Sequence, residues 1–414
     1  MTAETMSFAE QEKVRGQRLA HIVRHAYENA PGVRAKLEEA GITPDQIKSL
    51  ADLKKIPVTS KDELVELQKA NPPFGGYLAV PLSDLKRIYF SPGPIYDPQG
   101  EEEARATAEA IGAAGFGSGD IVLNTFSYHL VPAGLMIDEA LQAVGCTVVP
   151  TGVGNTELQV KMMADLRATG YVGTPSFLMT LIKKAEEMGL DFRKVFALRK
   201  ALFTAEPYPP SLRKQFEEGY GLETAQAYGT ADVGLVAYEC PEASGLHFSD
   251  EVILEIVDPA SGKRLGPGEA GEVVVTTFNE TYPLIRFGTG DLSAYTAEPC
   301  PCGRTSPRLI AIMGRVGDAV KVRGMFVHPN QLRAAVSRFP EVTAFQAVIT
   351  RPEHRDQMTL RLEVTEGTDQ EKLQEGLGKA VRDLCRLGAD RIEFVAKGTI
   401  PEDAKPMVDE RTWE

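Results

Sequence analysis

Apolar residues recur every three to four positions through LAHIVRHAYENA (residues 19–30), which predicts an amphipathic helix that Pro31-Gly32 ends. A second helix is predicted through VRAKLEEAG, with Gly41 as its stop, and residues 8 to 70 read as helical and charged throughout. In PVTSKDELVELQ, Thr59-Ser60 followed by acids and an apolar run is a helix-capping signature. From about residue 87 to 310 the pattern changes. Short apolar runs (IVLNTF, CTVVPTG, TGYVGTP) alternate with amphipathic stretches (GLMIDEALQAVG, ELQVKMMADLRATG, PSFLMTLIKKAEEMG), the signature of a mixed α/β sheet. Beyond residue 251, VILEIVD, GEVVVTTF and LIRFGTGDLSAY are strands separated by turn residues, and they predict a small β-rich subdomain.

A Gly-rich, mixed-charge segment, GRVGDAVKVRGMFVHP, marks a domain boundary. After it come TAFQAVITR, MTLRLEV, the helix EKLQEGLGKAVRDLCRLG and RIEFVA, which together predict a compact α+β unit. The expected architecture is a large α/β N-terminal domain over residues 1–314 and a small mobile α+β lid over 315–414, with a hinge near 315–318.

Composition narrows the chemistry. A formal charge of −13 over 414 residues argues against nucleic acid or an anionic membrane surface as the main partner. The start of the chain lacks the apolar stretch of a signal peptide, and no run reaches transmembrane length, so a cytoplasmic protein is expected. Five cysteines in a chain of this size make no disulfide framework. Cys146 and Cys385 stand alone and read as small buried residues. Cys240, Cys300 and Cys302 lie in two turn-rich segments that also hold His247. Three cysteines and a histidine are a standard closed tetrahedral zinc shell, and the alternative is three unliganded thiols.

Several strings in order carry a family resemblance: AYENAPGVRAKLEEAGITP, SLADLKKIPVTSKDEL, PTGVGNTELQ, GTPSFL, FTAEPYP, AYGTADVGLVAYEC, GLHFSDE, TTFNETYPLIRFGTGDLS, PCPCGRTSPRL and GRVGDAVKVRGMFVHPNQL. Across nearly its whole length the chain resembles the phenylacetate–coenzyme A ligases of the adenylate-forming superfamily. The resemblance implies two half-reactions. A carboxylic acid, aryl, arylacetic or small, attacks the α-phosphate of ATP with magnesium to give an acyl-adenylate and pyrophosphate. Coenzyme A then displaces AMP, the C-terminal lid rotating between the two. It also implies a structural zinc at Cys240, His247, Cys300 and Cys302, and a homodimer.

Residue roles follow from the same resemblance. Asp291 matches the carboxylate that holds both ribose hydroxyls, and a bidentate acceptor flanked by glycines suits a diol. Tyr228, followed by Gly229, matches the aromatic that stacks on adenine, and Asp232 the acid that reaches magnesium, here one methylene shorter than the usual Glu. Glu206-Pro207 matches the lining of the adenine pocket, and Arg315 an arginine that contacts the nucleotide. Phe126, Tyr128, Pro175 and Phe177 lie in segments that line the acid pocket, and core packing explains any single one equally well.

Three departures bear on the reaction. Where the family has a Ser-Ser-Gly-Thr-Thr-Gly-Lys phosphate loop, this chain reads SPGPIYDP. Ser91 and Gly93 remain, three prolines remove N–H donors, and Asp97 is expected to place a negative charge where phosphate would sit. The Gly-Lys pair near the family's C-terminus is missing, and Lys405 is the nearest candidate for the adenylation lysine. Gly317 stands where an acidic hinge residue is common, which leaves rotation feasible. The leading expectation is an acid–coenzyme A ligase with altered nucleotide handling. The alternatives are a transferase that handles acyl-coenzyme A or acyl-adenylate without cleaving ATP, and a non-catalytic binding homologue.

Overall fold

The computed structural model describes residues 8–91, 93–101, 105–259, 261–269, 271–316, 320–323, 325–327, 329–385, 387–401 and 404–411. The chain divides into two compact units, Met1–Val316 and Gly317–Glu414. The expected hinge residue Gly317 lies outside the described residues.

The N-terminal helices follow the apolar stripe. Helix Phe8–Asn29 buries Leu19, Ile22, Val23 and Ala26, spaced as one helical face requires. Helix Pro31–Glu39 begins on a proline, which needs no N–H partner there. Helix Lys61–Ala70 is capped by the Ser60 side chain, which accepts from the Glu63 N–H.

Among the described residues, the larger unit is built on one twelve-stranded sheet. Its parallel part runs Thr147–Val149, Ile121–Asn124, Gly170–Gly173, Lys200–Phe203 and Glu223–Thr230. Neighbouring residues on these strands face opposite layers. Tyr171, Ala201 and Phe203 join the core with Leu178, Ile182 and Phe216, whereas Val172 and Leu202 join Ile137 and Leu141 on the other side.

The sheet then turns antiparallel through Gly234–Glu239, Leu246–Phe248, Arg308–Arg315, Phe287–Thr296, Gly271–Thr277 and Val252–Val257. The β-rich stretch is therefore continuous with the parallel strands rather than a sheet of its own. Its inner face packs on the N-terminal helices, with Val273, Val275 and Phe287 in one core with Leu19, Ile22 and Val23.

A buried arginine fastens those helices to the sheet. Arg286 is 2% exposed, and its Nε donates to Glu255 Oε2 at 2.9 Å. Its Nη1 and Nη2 donate to the carbonyls of Ile56 at 2.7 Å and Gly262 at 2.8 Å. The backbone joins in. Arg286 holds a positive φ of 50°, its carbonyl accepts from Thr59 N, and Thr59 pairs in parallel with Phe287. Arg286→Ala leaves Glu255 buried without its cation, so a loss of about 3–5 kcal/mol is expected, read as a lowered urea midpoint. An unchanged midpoint would show that the clasp contributes nothing.

The smaller unit has a four-stranded sheet in the order Arg391–Phe394, Gln357–Val364, Val342–Thr350, Met407–Asp409, with helix Gln370–Cys385 packed on it through Leu373, Leu377 and Val381. Helix Pro329–Val336 and strand Met407–Asp409 add to the elements that the sequence pattern predicts. Asp356 ties the start of the unit to its end, accepting from Arg323 N at 3.1 Å and Arg411 Nη1 at 3.1 Å, with Arg351 Nε at 2.6 Å beside them. No helix among the described residues is long and apolar enough to cross a membrane.

Candidate active site

Asp291 lies on strand Phe287–Thr296 directly across from Arg315 on the neighbouring antiparallel strand. That register brings Arg315 Nε to 3.0 Å from Asp291 Oδ1. From a third strand, the Tyr228 hydroxyl donates to Asp291 Oδ2 at 2.8 Å and lies 3.1 Å from Thr289 Oγ1. Burial, and then the Asp291 charge, hold the Tyr228 phenol well above its ordinary pKa, so it stays a donor. Next to the carboxylate, Gly290 has a φ of 75°, and no atom lies within 4 Å of where its Cβ would stand. Asp291 is therefore held between two partners, next to a glycine with open space at its missing side chain. Tyr228 is 8% exposed and belongs to the core, so its observed contact is with Asp291 through the hydroxyl. Gly229 answers to its neighbouring strand, since a Cβ there would stand 2.5 Å from the Gly234 carbonyl oxygen.

The stretch in the position of the phosphate loop folds back on itself. Arg87–Ser91 and Ile95–Gln99 pair as an antiparallel hairpin with Ser91 opposite Ile95. Asp97 on the return strand is 6% exposed, and neither carboxylate oxygen has a hydrogen-bond partner. The Ser91 hydroxyl lies 3.5 Å from the Ile95 carbonyl and near enough to Asp97 to favour its charged form. Burial first, and then the Asp232 charge, push the Asp97 carboxyl up to about 8, with Ser91 and the Lys61 ammonium pulling the other way. The negative charge expected at Asp97 is thereby corrected, because at neutral pH a carboxyl so placed is mostly protonated.

Asp232 sits in the same cluster. Its side chain is 1% exposed, and Oδ2 accepts from Lys61 Nζ at 2.8 Å and Thr230 Oγ1 at 3.2 Å. Oδ1 is buried without a partner. Lys61 comes from the first turn of helix Lys61–Ala70, and a Cβ on Gly93 would fall 2.9 Å from its Cε. Sequence reasoning missed this lysine. The absence of a loop lysine was the signal that a cation had to come from elsewhere.

Glu206 Oε2 accepts from Ser176 N at 3.3 Å, at the start of the helix Pro175–Glu187, whose Thr174 cap accepts from Phe177 N. Pro207 is exposed. Phe126 belongs to the core on one face of the parallel strands, and Phe177 packs against the core on the other. Pro175 is buried. The Tyr128 hydroxyl donates to Asp138 Oδ2 at 2.7 Å and accepts from Asn124 Nδ2 at 2.8 Å, so that ring is held by polar contacts.

Cys240, His247, Cys300 and Cys302 converge, with all four potential ligand atoms within 4.8 Å of one another. Cys240 Sγ lies 3.7 Å from Cys300 Sγ, and Cys302 Sγ lies 3.4 Å from His247 Nε2. A tetrahedron with metal–sulfur bonds of about 2.3 Å has edges of about 3.8 Å, so the spacing fits a metal. The other ring nitrogen, Nδ1, is 3.1 Å from Ser306 Oγ, the outer contact that orients a ligating imidazole. In the smaller unit Lys405 is exposed, and its carbonyl accepts from Gln346 Nε2 at 3.2 Å.

Two family models match the chain: AMP-binding enzyme over residues 102–279, and AMP-binding enzyme C-terminal domain over residues 324–411. The fold is thus that of the AMP-binding, adenylate-forming class. The phenylacetate-coenzyme A ligase of Thermus thermophilus is 35% identical over 91% of this chain and 87% of its own length. That of Escherichia coli K12 is 32% identical over 96% of this chain and 94% of its own length. A solved structure of 2-hydroxyisobutyryl-CoA ligase in complex with 2-HIB-AMP and CoA superposes with a TM-score of 0.91 at 29% identity, covering 99% of this chain and 91% of that one. The chain belongs to the phenylacetate–coenzyme A ligase family.

Proposed function

We propose that the chain is an ATP-dependent ligase that joins a carboxylic acid to coenzyme A through an acyl-adenylate, releasing pyrophosphate and then AMP. The observation that carries this reading is the Asp291 constellation. One buried carboxylate is oriented from two sides by Tyr228 and Arg315, next to a glycine whose missing side chain leaves open space. Two acceptor oxygens on a fixed group suit the two hydroxyls of a ribose. Asp232 would hold the nucleotide's magnesium, and its unpartnered Oδ1 suits a hard cation. The four-residue cluster would hold a structural zinc that ties the end of strand Gly234–Glu239 to the segment before Arg308–Arg315, and its closed shell leaves no position for chemistry. The same reading includes a hinged C-terminal unit, a cytoplasmic location and a homodimer.

The relatives' names set the acids to try: phenylacetate and other arylacetates on one side, 2-hydroxyisobutyrate and short hydroxy acids on the other. With ATP, magnesium and coenzyme A, one of these is expected to release pyrophosphate and consume thiol in equal amounts. Folded, zinc-loaded protein that turns over none of them would sink the reading. A second reading is favoured by the missing loop lysine and the missing Gly-Lys pair: the protein performs only the thioester step on an adenylate supplied to it. Thioester formation from synthetic acyl-adenylate, without pyrophosphate release from ATP, would select that reading.

A further inference from the structure

The hairpin that replaces the phosphate loop brings an acid to a site where the family's loop brings a lysine and hydroxyls. Buried acceptors are ordinarily satisfied, and each exception asks for an explanation. Here three exceptions fall in one cluster: both oxygens of Asp97 and Oδ1 of Asp232. The local cation, Lys61, already bonds Asp232 through the other oxygen. The nearby hydroxyls of Ser91 and Thr230 make the cluster an all-oxygen donor set, the chemistry of a hard divalent ion and not of a soft one.

We propose that Asp97 is a second carboxylate ligand, beside Asp232, for a divalent cation held under the Arg87–Gln99 hairpin. The inference rests on the nucleotide-site reading only for the role of Asp232; Asp97 comes from this chain's own departure. Binding the ion releases the Asp97 proton to solvent, and two carboxylates, one divalent cation and Lys61 then sum to a charge of +1. The hairpin then presents phosphate with a positive site that its own backbone, short of N–H donors, cannot provide.

The test uses Mn²⁺ as the probe on the zinc-loaded full chain, so that the thiol cluster is already filled. Free Mn²⁺ is followed by electron paramagnetic resonance, with and without AMP. The wild type is expected to bind one ion per chain, and Asp97→Asn to weaken that binding at least tenfold. Asp97→Glu, which keeps a carboxylate, should recover part of the loss. Asp97→Asn is close to isosteric, and its melting curve checks that it folds. A Mn²⁺ anomalous-scattering peak between Asp97 and Asp232 in wild-type crystals needs no variant at all. Unchanged Mn²⁺ affinity in Asp97→Asn, or a peak elsewhere, overturns the proposal. Because the readout is ion binding, failure to activate any acid counts against the ligase reading and leaves this one standing; turnover with an Asp97-independent ion does the reverse.

Discussion

Stripping the proposed zinc from Cys240, His247, Cys300 and Cys302 is expected to lower the melting temperature by roughly 6–12 °C or more. Structural zinc binds zinc-finger peptides with about 10–16 kcal/mol at neutral pH. If only ~3 kcal/mol of that appears as stability of this much larger unit, the quoted drop follows at about 2–4 °C per kcal/mol. The cause is local. Without the ion, three thiols and an imidazole would be left together where Cys240, Cys300 and His247 are buried. The measurement is a thermal melt before and after a thiol-directed mercurial with EDTA, alongside a colorimetric count of zinc released. Cys302→Ser should behave like the stripped protein, and Cys146→Ser, far from the cluster in sequence, should not. A melt that does not move while one zinc per chain is released would refute a structural role.

The second large effect is expected at Asp291. Its two oxygens would each accept a charge-assisted bond from a ribose hydroxyl, worth about 1.5–3 kcal/mol apiece. Asp291→Ala should therefore weaken AMP binding by on the order of 10²–10⁴-fold and abolish the thermal shift that AMP gives the wild type. Tyr228→Phe removes one bond to the carboxylate and keeps the ring, so about tenfold is expected there. Isothermal titration with AMP reads both. Wild-type affinity in Asp291→Ala would mean that the nucleotide sits elsewhere.

Much of this was legible before any coordinates. Short apolar runs and the helical patterns between them place the parallel strands and their helices, because these strands bury both faces, Val172 on one side of the sheet and Tyr171 on the other. The four metal candidates stand out because Cys300 and Cys302 are two residues apart and His247 follows Cys240 closely. What the pattern hides is long-range or depends on burial. The Lys61–Asp232 pair joins residues 171 apart, and nothing local to either reveals it. SPGPIYDP reads as a broken loop, yet it folds as a hairpin, because in a two-stranded ribbon Pro98 can stand opposite Ile88 with no ladder bond required of it. The state of Asp97 is a product of its surroundings, so its letter alone suggested the wrong charge. Phe126 and Phe177 show the same limit for the acid pocket: their types suit a wall, and the fold distributes them between two cores.

The Arg286 clasp also bears on how the chain is made. Ile56 waits for a partner 230 residues downstream, and helix Phe8–Asn29 takes its contacts from Asp250, Glu251 and Glu280. At about 5–20 residues per second, the ribosome exposes the N-terminal helices for roughly 12–46 s before that partner is synthesised. These helices can pack on one another in that interval, but the face they turn to the sheet, against Val273, Val275 and Phe287, is uncovered until those strands are made.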